Sequence, residues 1–370
     1  TAIVNRQDIR AGGYGDPAER SALRIRQGLY LARTNRLAEA SAIPAEIRAA
    51  WAGQEDLRVY VWLWILEGVL DFYQTSRTAK RDRLRQAQAV AGRSGLVAEY
   101  QLASAWLAHL AYVDRDYEAM VQGLRAAGLG AASLVEATAR SSLTLACALQ
   151  LCGDEPRAAL WFGRAREVAR RAGDRAGIMA ATANRLMLRL NDNWLSLVFG
   201  EQPPHDAVAL RQELLGILGY EQLSGSESLA EQNEMAQLRL ALLRGDDAAA
   251  LGILRGLSAA RDRRSAPSLT TAAVVEQWLL ARAAHDPADA LPHWERAQAA
   301  FSPQGLDDDD QAACLALMSR TAQAAGCREA AQAAWADACS ARARFVAGLD
   351  AVRAGILAVE AQASEGWPQG

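Results

Sequence analysis

A short polar break that recurs between amphipathic stretches sets the fold of this chain more tightly than any other feature of its sequence. The breaks read Asn35-Arg36-Leu37-Ala38-Glu39-Ala40, Asp114-Arg115-Asp116-Tyr117-Glu118-Ala119 and Gly153-Asp154-Glu155-Pro156-Arg157-Ala158. Later come Gly245-Asp246-Asp247-Ala248-Ala249-Ala250, His285-Asp286-Pro287-Ala288-Asp289-Ala290 and Gly326-Cys327-Arg328-Glu329-Ala330-Ala331. Each ends on an alanine, five residues after the break begins. The breaks at 114 and 153 are 39 apart, and those at 245, 285 and 326 are 40 and 41 apart. Weaker breaks near Thr75–Arg77 and at Asn191–Asn193 complete a set of eight helical hairpins. Between 191 and 245 the interval is irregular. It holds Pro203-Pro204 and Leu223-Ser224-Gly225-Ser226, which predicts an extra helix and a loop. A hairpin has one apolar face that it cannot bury alone, so stacking neighbours into a continuous core is the stable solution.

Side-chain size follows the same frame. Phe162, Leu254, Trp294 and Trp335 fall one helical turn after the alanine of their repeat, on the same face. Ala165, Leu257, Ala297 and Ala338 follow, mostly small again. A small residue, an aromatic four later and a small one three later resembles the second helix of tetratricopeptide repeats. The stretch Gly153 to Ala165 is similar to such a repeat residue by residue, and Ala146 and Ser319 match the family's small residue of the first helix. The period of ~40 departs from the 34 of the standard motif and is similar to the longer repeats in sensor arrays of bacterial regulators. The resemblance implies an all-α, right-handed superhelical array of about eight antiparallel hairpins. The expected organisation is a lead-in over 1–17, hairpins over 18–200, an irregular connection with an extra helix over 201–226, hairpins over 227–345, and a C-terminal capping helix and tail over 346–370.

The sequence offers little for chemistry. A net charge of −3 and a pI near 5.9 give no global case for nucleic acid or an anionic membrane. The longest apolar run, Val59 to Leu66, is too short to span a bilayer. Cys147, Cys152, Cys314, Cys327 and Cys339 contain no CxxC pair, which favours free thiols and a cytoplasmic setting. The chain begins at Thr1, as expected of a trimmed chain or a piece of a longer protein. His109, His205, His285 and His293 are scattered, with no pair four apart on a helix face. Ala11-Gly12-Gly13-Tyr14-Gly15 lacks the flanking strand and the GK[ST] of a phosphate loop. Asp307-Asp308-Asp309-Asp310 lacks the spacing of an EF-hand and reads as helix N-terminal charge. No cofactor, metal or catalytic role is expected. Trp62 and Trp64, two apart, cannot share a helix face, so either flanking hairpins cover both or the aromatic cluster with Trp51, Tyr60, Phe72 and Tyr73 forms a pocket.

First helices of such hairpins line the inner surface of an array. With the turn residue as position fifteen, position nine is Arg185, Arg239 and Arg320. Positions twelve and thirteen supply Arg33, Arg189 and Arg282, and position two supplies Gln101, Arg140 and Gln232. Guanidinium pairs bidentately with carboxylate or phosphate. Arg185, Arg189, Arg239, Arg320, Arg282 and Arg140 are therefore the candidate ligand-binding residues, set against the plainer reading that arginine, the commonest cation here, falls on every helix face. The expected function is a non-catalytic interaction or ligand-sensing module of a bacterial regulatory protein. It would bind a protein or peptide partner, or a small anionic ligand, with no direct nucleic acid or membrane partner; a homodimer stays open. The alternative is a free-standing adaptor or chaperone for exposed apolar segments.

Overall fold

A computed structural model describes residues 16–74, 81–129, 134–224, 230–259 and 266–365. The described residues form sixteen helices and no strand. They are α1 (Pro17–Arg33), α2 (Leu37–Ala50), α3 (Leu57–Gln74), α4 (Asp82–Arg93), α5 (Val97–Val113), α6 (Tyr117–Ala126), α7 (Val135–Leu151) and α8 (Glu155–Arg171). Then follow α9 (Arg175–Phe199), α10 (Ala207–Ser224), α11 (Ala230–Leu243), α12 (Asp247–Ala259), α13 (Ala266–Ala283), α14 (Pro287–Ala300), α15 (Asp308–Ala324) and α16 (Arg328–Glu365). Consecutive helices pack as the pairs α1–α2, α3–α4, α5–α6, α7–α8, α11–α12 and α13–α14. The glycine-rich lead-in, the break at Thr75–Arg77 and Gly225-Ser226 lie outside the described residues, whereas Leu223-Ser224 end α10. Two compact units divide the chain: Thr1–Arg185 with Ser224–Ser228 and Ala351–Gly370, and Leu186–Leu223 with Leu229–Asp350.

In the first unit α1 and α2, α3 and α4, α5 and α6, and α7 and α8 pack as hairpins, and the first helices stack as α1 on α3, α3 on α5 and α5 on α7. The recurring break explains the turns chemically. Gly153, at φ +76, ends α7 in the left-handed conformation that lacks a steric cost for glycine. Asp154 then caps α8 by accepting from the Arg157 amide at 3.2 Å. Asp116, Asp246 and Asp286 cap α6, α12 and α14 in the same way. Four residues past the cap, Ala158, Ala250 and Ala290 are buried, with Phe162, Leu254 and Trp294 buried a turn later. In α6 the frame is displaced by one. Arg115 takes the left-handed slot at φ +58, so Met120 fills the buried position and Ala119 is only half-buried.

Close approach is taken furthest at Gly123 of α6. A Cβ added there would lie 2.9 Å from the Cβ of Ala108 and 3.0 Å from its backbone in α5. Backbone cannot rotate away as a side chain can, so Gly123→Ala is expected to cost about 1–3 kcal/mol through overpacking, despite alanine's better helix propensity. Chemical denaturation checks this; an unchanged or raised midpoint would contradict the α5–α6 packing.

Residues 351–365 of α16 also belong to this unit. Trp161 of α8 donates its indole N–H to Glu360 at 3.2 Å, and Arg164 donates to Ser364 at 3.3 Å. The expected separate capping helix is instead the unbroken continuation of α16, which runs for 38 residues.

The second unit corrects two expectations. Asn191–Asn193 is no break: α9 continues through it to Gly200, where φ is +74. Leu190, Trp194 and Val198 keep the apolar helical spacing and are all buried. The asparagines serve tertiary contacts: Asn191 donates to Asp309 at 3.0 Å, and Asn193 clamps the backbone of His205 by donating to its carbonyl at 2.8 Å and accepting from its amide at 2.9 Å. The interruption falls instead at the Pro203-Pro204 segment, and the helix expected after it is α10, tied to α9 by Arg189 and Glu213 at 2.7 Å. Trp335 is the other correction. At 38% exposed it does not fill the layer, which Ala334 and Ala338 fill instead; its ring lies 5.3 Å from that of Phe199.

Candidate functional site

Four of the six arginines picked from the sequence lie in the second unit. Arg189 pairs with Glu213 at 2.7 Å, Arg239 lies 3.8 Å from Asp310, and Arg282 pairs with Asp247. Their charges are thus met by neighbouring carboxylates. Arg320 donates to the Leu197 carbonyl at 3.3 Å, and burial, with the nearby Arg282 charge, lowers its pKa. Arg185 and Arg140 belong to the first unit, with Arg185 half-buried.

Arg140 stands in the wall of a cavity of ≈ 150 Å³ in the first unit. One face of α1, carrying Leu23, Arg26, Gln27, Tyr30 and Arg33, forms one side. The first two turns of α7, Trp106 of α5, and the end of α8 with the α8–α9 turn form the rest. The charges are arranged in pairs. Arg26 donates to Glu136 of α7 at 2.8 Å, and Arg33, at the end of α1, meets Asp174 at 2.8 Å. Asp174 does two jobs: one carboxylate oxygen pairs with Arg33, while the other accepts from the Gly177 amide at 3.0 Å and starts α9. Burial works against the Arg33 charge, but Asp174, Tyr73 and Glu136 outweigh it and raise its pKa.

Arg140 differs. It is 8% exposed, and no ion pair reaches it among the described residues. The guanidinium carbon lies 4.0 Å above the Trp106 ring, and Tyr73 supplies a hydrogen bond. Burial lowers its pKa, with the Arg33 charge adding to that effect and Tyr73 and the more distant Asp174 carboxylate opposing it. Three guanidiniums therefore face two carboxylates around one cavity, and the surplus cation is the most buried of the three. Trp62, by contrast, is an interior residue bonded to Glu99 at 3.1 Å, and Trp64 is half-buried near Tyr60, so the Trp62–Trp64 pair does not line this cavity.

Under Arg140 lies His109 of α5, in contact with Thr144 at 3.3 Å and with the Trp106 ring at 6.0 Å between centroids. Burial first, and the Arg140 charge second, hold His109 well below the ordinary histidine value, so it is neutral in the folded chain. In the unfolded chain it takes up a proton below about pH 6.5. The unfolded state then binds more protons, and stability falls as pH drops through that value, by up to about 1.4 kcal/mol per pH unit. Unfolding followed from about pH 7.5 to 5.5 should show this fall, and His109→Gln should flatten it. A pH dependence identical in the variant would contradict a neutral buried imidazole. The neighbouring Cys147 thiol is pushed up to about 12 by burial, which removes it as a nucleophile at neutral pH.

In the second unit, carboxylate oxygens of Asp307, Asp309 and Asp310 cluster within 4.8 Å of one another. Asp309 already accepts from Asn191, and Asp310 faces Arg239. Among the described residues no helix is long and apolar enough to cross a membrane.

No family model and no curated protein matches the sequence. A solved structure of a Rap protein complexed with competence and sporulation factor does match in fold, with a TM-score of 0.56 over 90% of this chain and 100% of that one, at 13% identity. That likeness is one of architecture, and with the hairpin packing described above it gives the chain a TPR-like helical-repeat fold.

Proposed function

We propose that the chain is a non-catalytic recognition module of a regulatory protein, and that the cavity around Arg140 in the first unit is where it holds part of a peptide, a partner domain or a small anionic ligand. One observation carries this reading: an arginine more than nine-tenths buried, at a cavity wall, with no carboxylate within ion-pair distance among the described residues. Burying a charge without a counter-charge costs stability, and perturbed charges of this kind concentrate at functional sites. That a protein of the same architecture has been crystallised in complex with a factor supports a binding role. No group in the cavity has the makings of a nucleophile–base pair: its charged residues are three arginines and two arginine-bound carboxylates.

A thermal-shift screen of peptides, metabolites and inorganic anions against the intact chain and an Arg140→Gln variant tests the proposal. Anionic compounds should raise the melting temperature of the parent and lose that effect in the variant. Stabilisation by the same compounds in both proteins would remove the cavity from consideration.

A further inference from the structure

We propose that the Arg140 cavity is a receptor for a single carboxylate carried on an apolar body about the size of one large side chain. The proposal rests on the reading above and names its ligand chemistry.

Charge sets the first limit. Arg26 is spoken for by Glu136 and Arg33 by Asp174, which leaves one positive charge, that of Arg140. A ligand of charge −1 neutralises it. A doubly charged phosphate would overshoot and meet the Glu136 and Asp174 carboxylates in the same wall. Geometry sets the second. Trp106 covers a face of the Arg140 guanidinium, so the group is offered to the cavity by its edge of N–H donors, which matches the two oxygens of a carboxylate. Tyr73 holds the same guanidinium, so the donor edge is fixed before a ligand arrives.

Size and polarity supply the third. Beside the charges and the polar groups of Gln27 and Tyr30 the wall is mostly hydrocarbon: Leu23, Leu29, Trp106, Val135 and three alanines, Ala139, Ala169 and Ala172. The alanines hold the wall back. A space of ≈ 150 Å³ is enough for a benzene-sized body, which corresponds to a branched aliphatic or a phenyl group. Val135 is 39% exposed, so the apolar lining extends to solvent at one edge, where such a group can enter. The carboxylate can belong to a free acid or to the last residue of a peptide; the contacts with Arg140 are the same.

Isothermal titration of the intact chain tests this with 4-methylvalerate, its amide, inorganic phosphate, and a short peptide ending in leucine as free acid or as amide. One carboxylate-bearing probe should bind with one-to-one stoichiometry, at least about tenfold more tightly than its amide, and phosphate should not compete. Binding of the free acid identifies a small-molecule receptor, and binding of the peptide acid alone identifies a chain terminus. Arg140→Gln should abolish binding. Ala139→Trp, which fills the cavity and leaves Arg140 in place, should do the same, so the result does not hang on one variant. Equal affinity for acid and amide, undiminished binding in either variant, or no binding by any carboxylate would overturn the inference. If phosphate bound in an Arg140-dependent way while carboxylates did not, the ligand class would be wrong and the recognition site would stand. If no anion bound through Arg140, both readings would fall.

Discussion

Phe162→Ala should lower the unfolding free energy by about 3–5 kcal/mol, among the largest losses any single truncation in this chain would produce. Phe162 has no exposed surface, and neither does Trp161 beside it. The ring follows Ala158 by one turn on the face of α8 that packs on α7, the most closely paired hairpin of the first unit. Its neighbours one turn away on that face, Ala158 and Ala165, are short and themselves buried, so neither can refill the space. A cavity left in a stack of hairpins weakens the contacts of one repeat with its neighbours, and therefore the cooperativity of the unit. Chemical denaturation measures the loss. A change under about 1 kcal/mol would mean that the α7–α8 layer is not the packed core described here.

Asp174→Asn should have the second large effect, about 3 kcal/mol, for a different reason. The substitution keeps volume and the capping oxygen that meets the Gly177 amide, so α9 still starts at the same place. What it removes is the countercharge of Arg33, whose side chain is only 15% exposed. The loss comes from leaving that guanidinium buried and unanswered beside Arg140. A compensating test follows: Arg33→Met combined with Asp174→Asn should be more stable than Asp174→Asn alone. Equal stability of the single and double variants would show that the pair is solvated and contributes little.

The fold was legible in the sequence wherever the signal is local. Asp154, Asp246 and Asp286 announce helix starts because a side-chain cap acts within three residues. Ala158, Ala250 and Ala290 then report the helix–helix contact at a fixed distance from the cap. The frame slipped at Asp114, where an arginine, Arg115, adopts the left-handed turn conformation usually given to glycine. It slipped again at Asn191–Asn193, whose polar side chains look like a turn but bond to Asp309 and His205 from within a helix. The site was less legible. Arg140 and Arg33 were placed at inward positions by the repeat frame alone, but their surroundings were not, because Arg26 and Glu136 stand 110 positions apart. Which arginines find a carboxylate is decided by tertiary packing. The same composition yields Arg189 and Arg282 in ion pairs and Arg140 without one.

If Arg140 is kept for a ligand at some cost to the folded chain, the stability of ligand-free Arg140→Met shows it directly. Methionine matches the stem of arginine and rests against Trp106 without a charge to desolvate. If the guanidinium serves recognition, the variant should be as stable as the parent, or more so, while losing all stabilisation by anions, the trade-off common at functional sites. Should the variant instead be destabilised by about 2 kcal/mol or more with anion responses intact, the guanidinium is a structural element, held for its contacts with Trp106 and Tyr73, and the proposed binding role is contradicted.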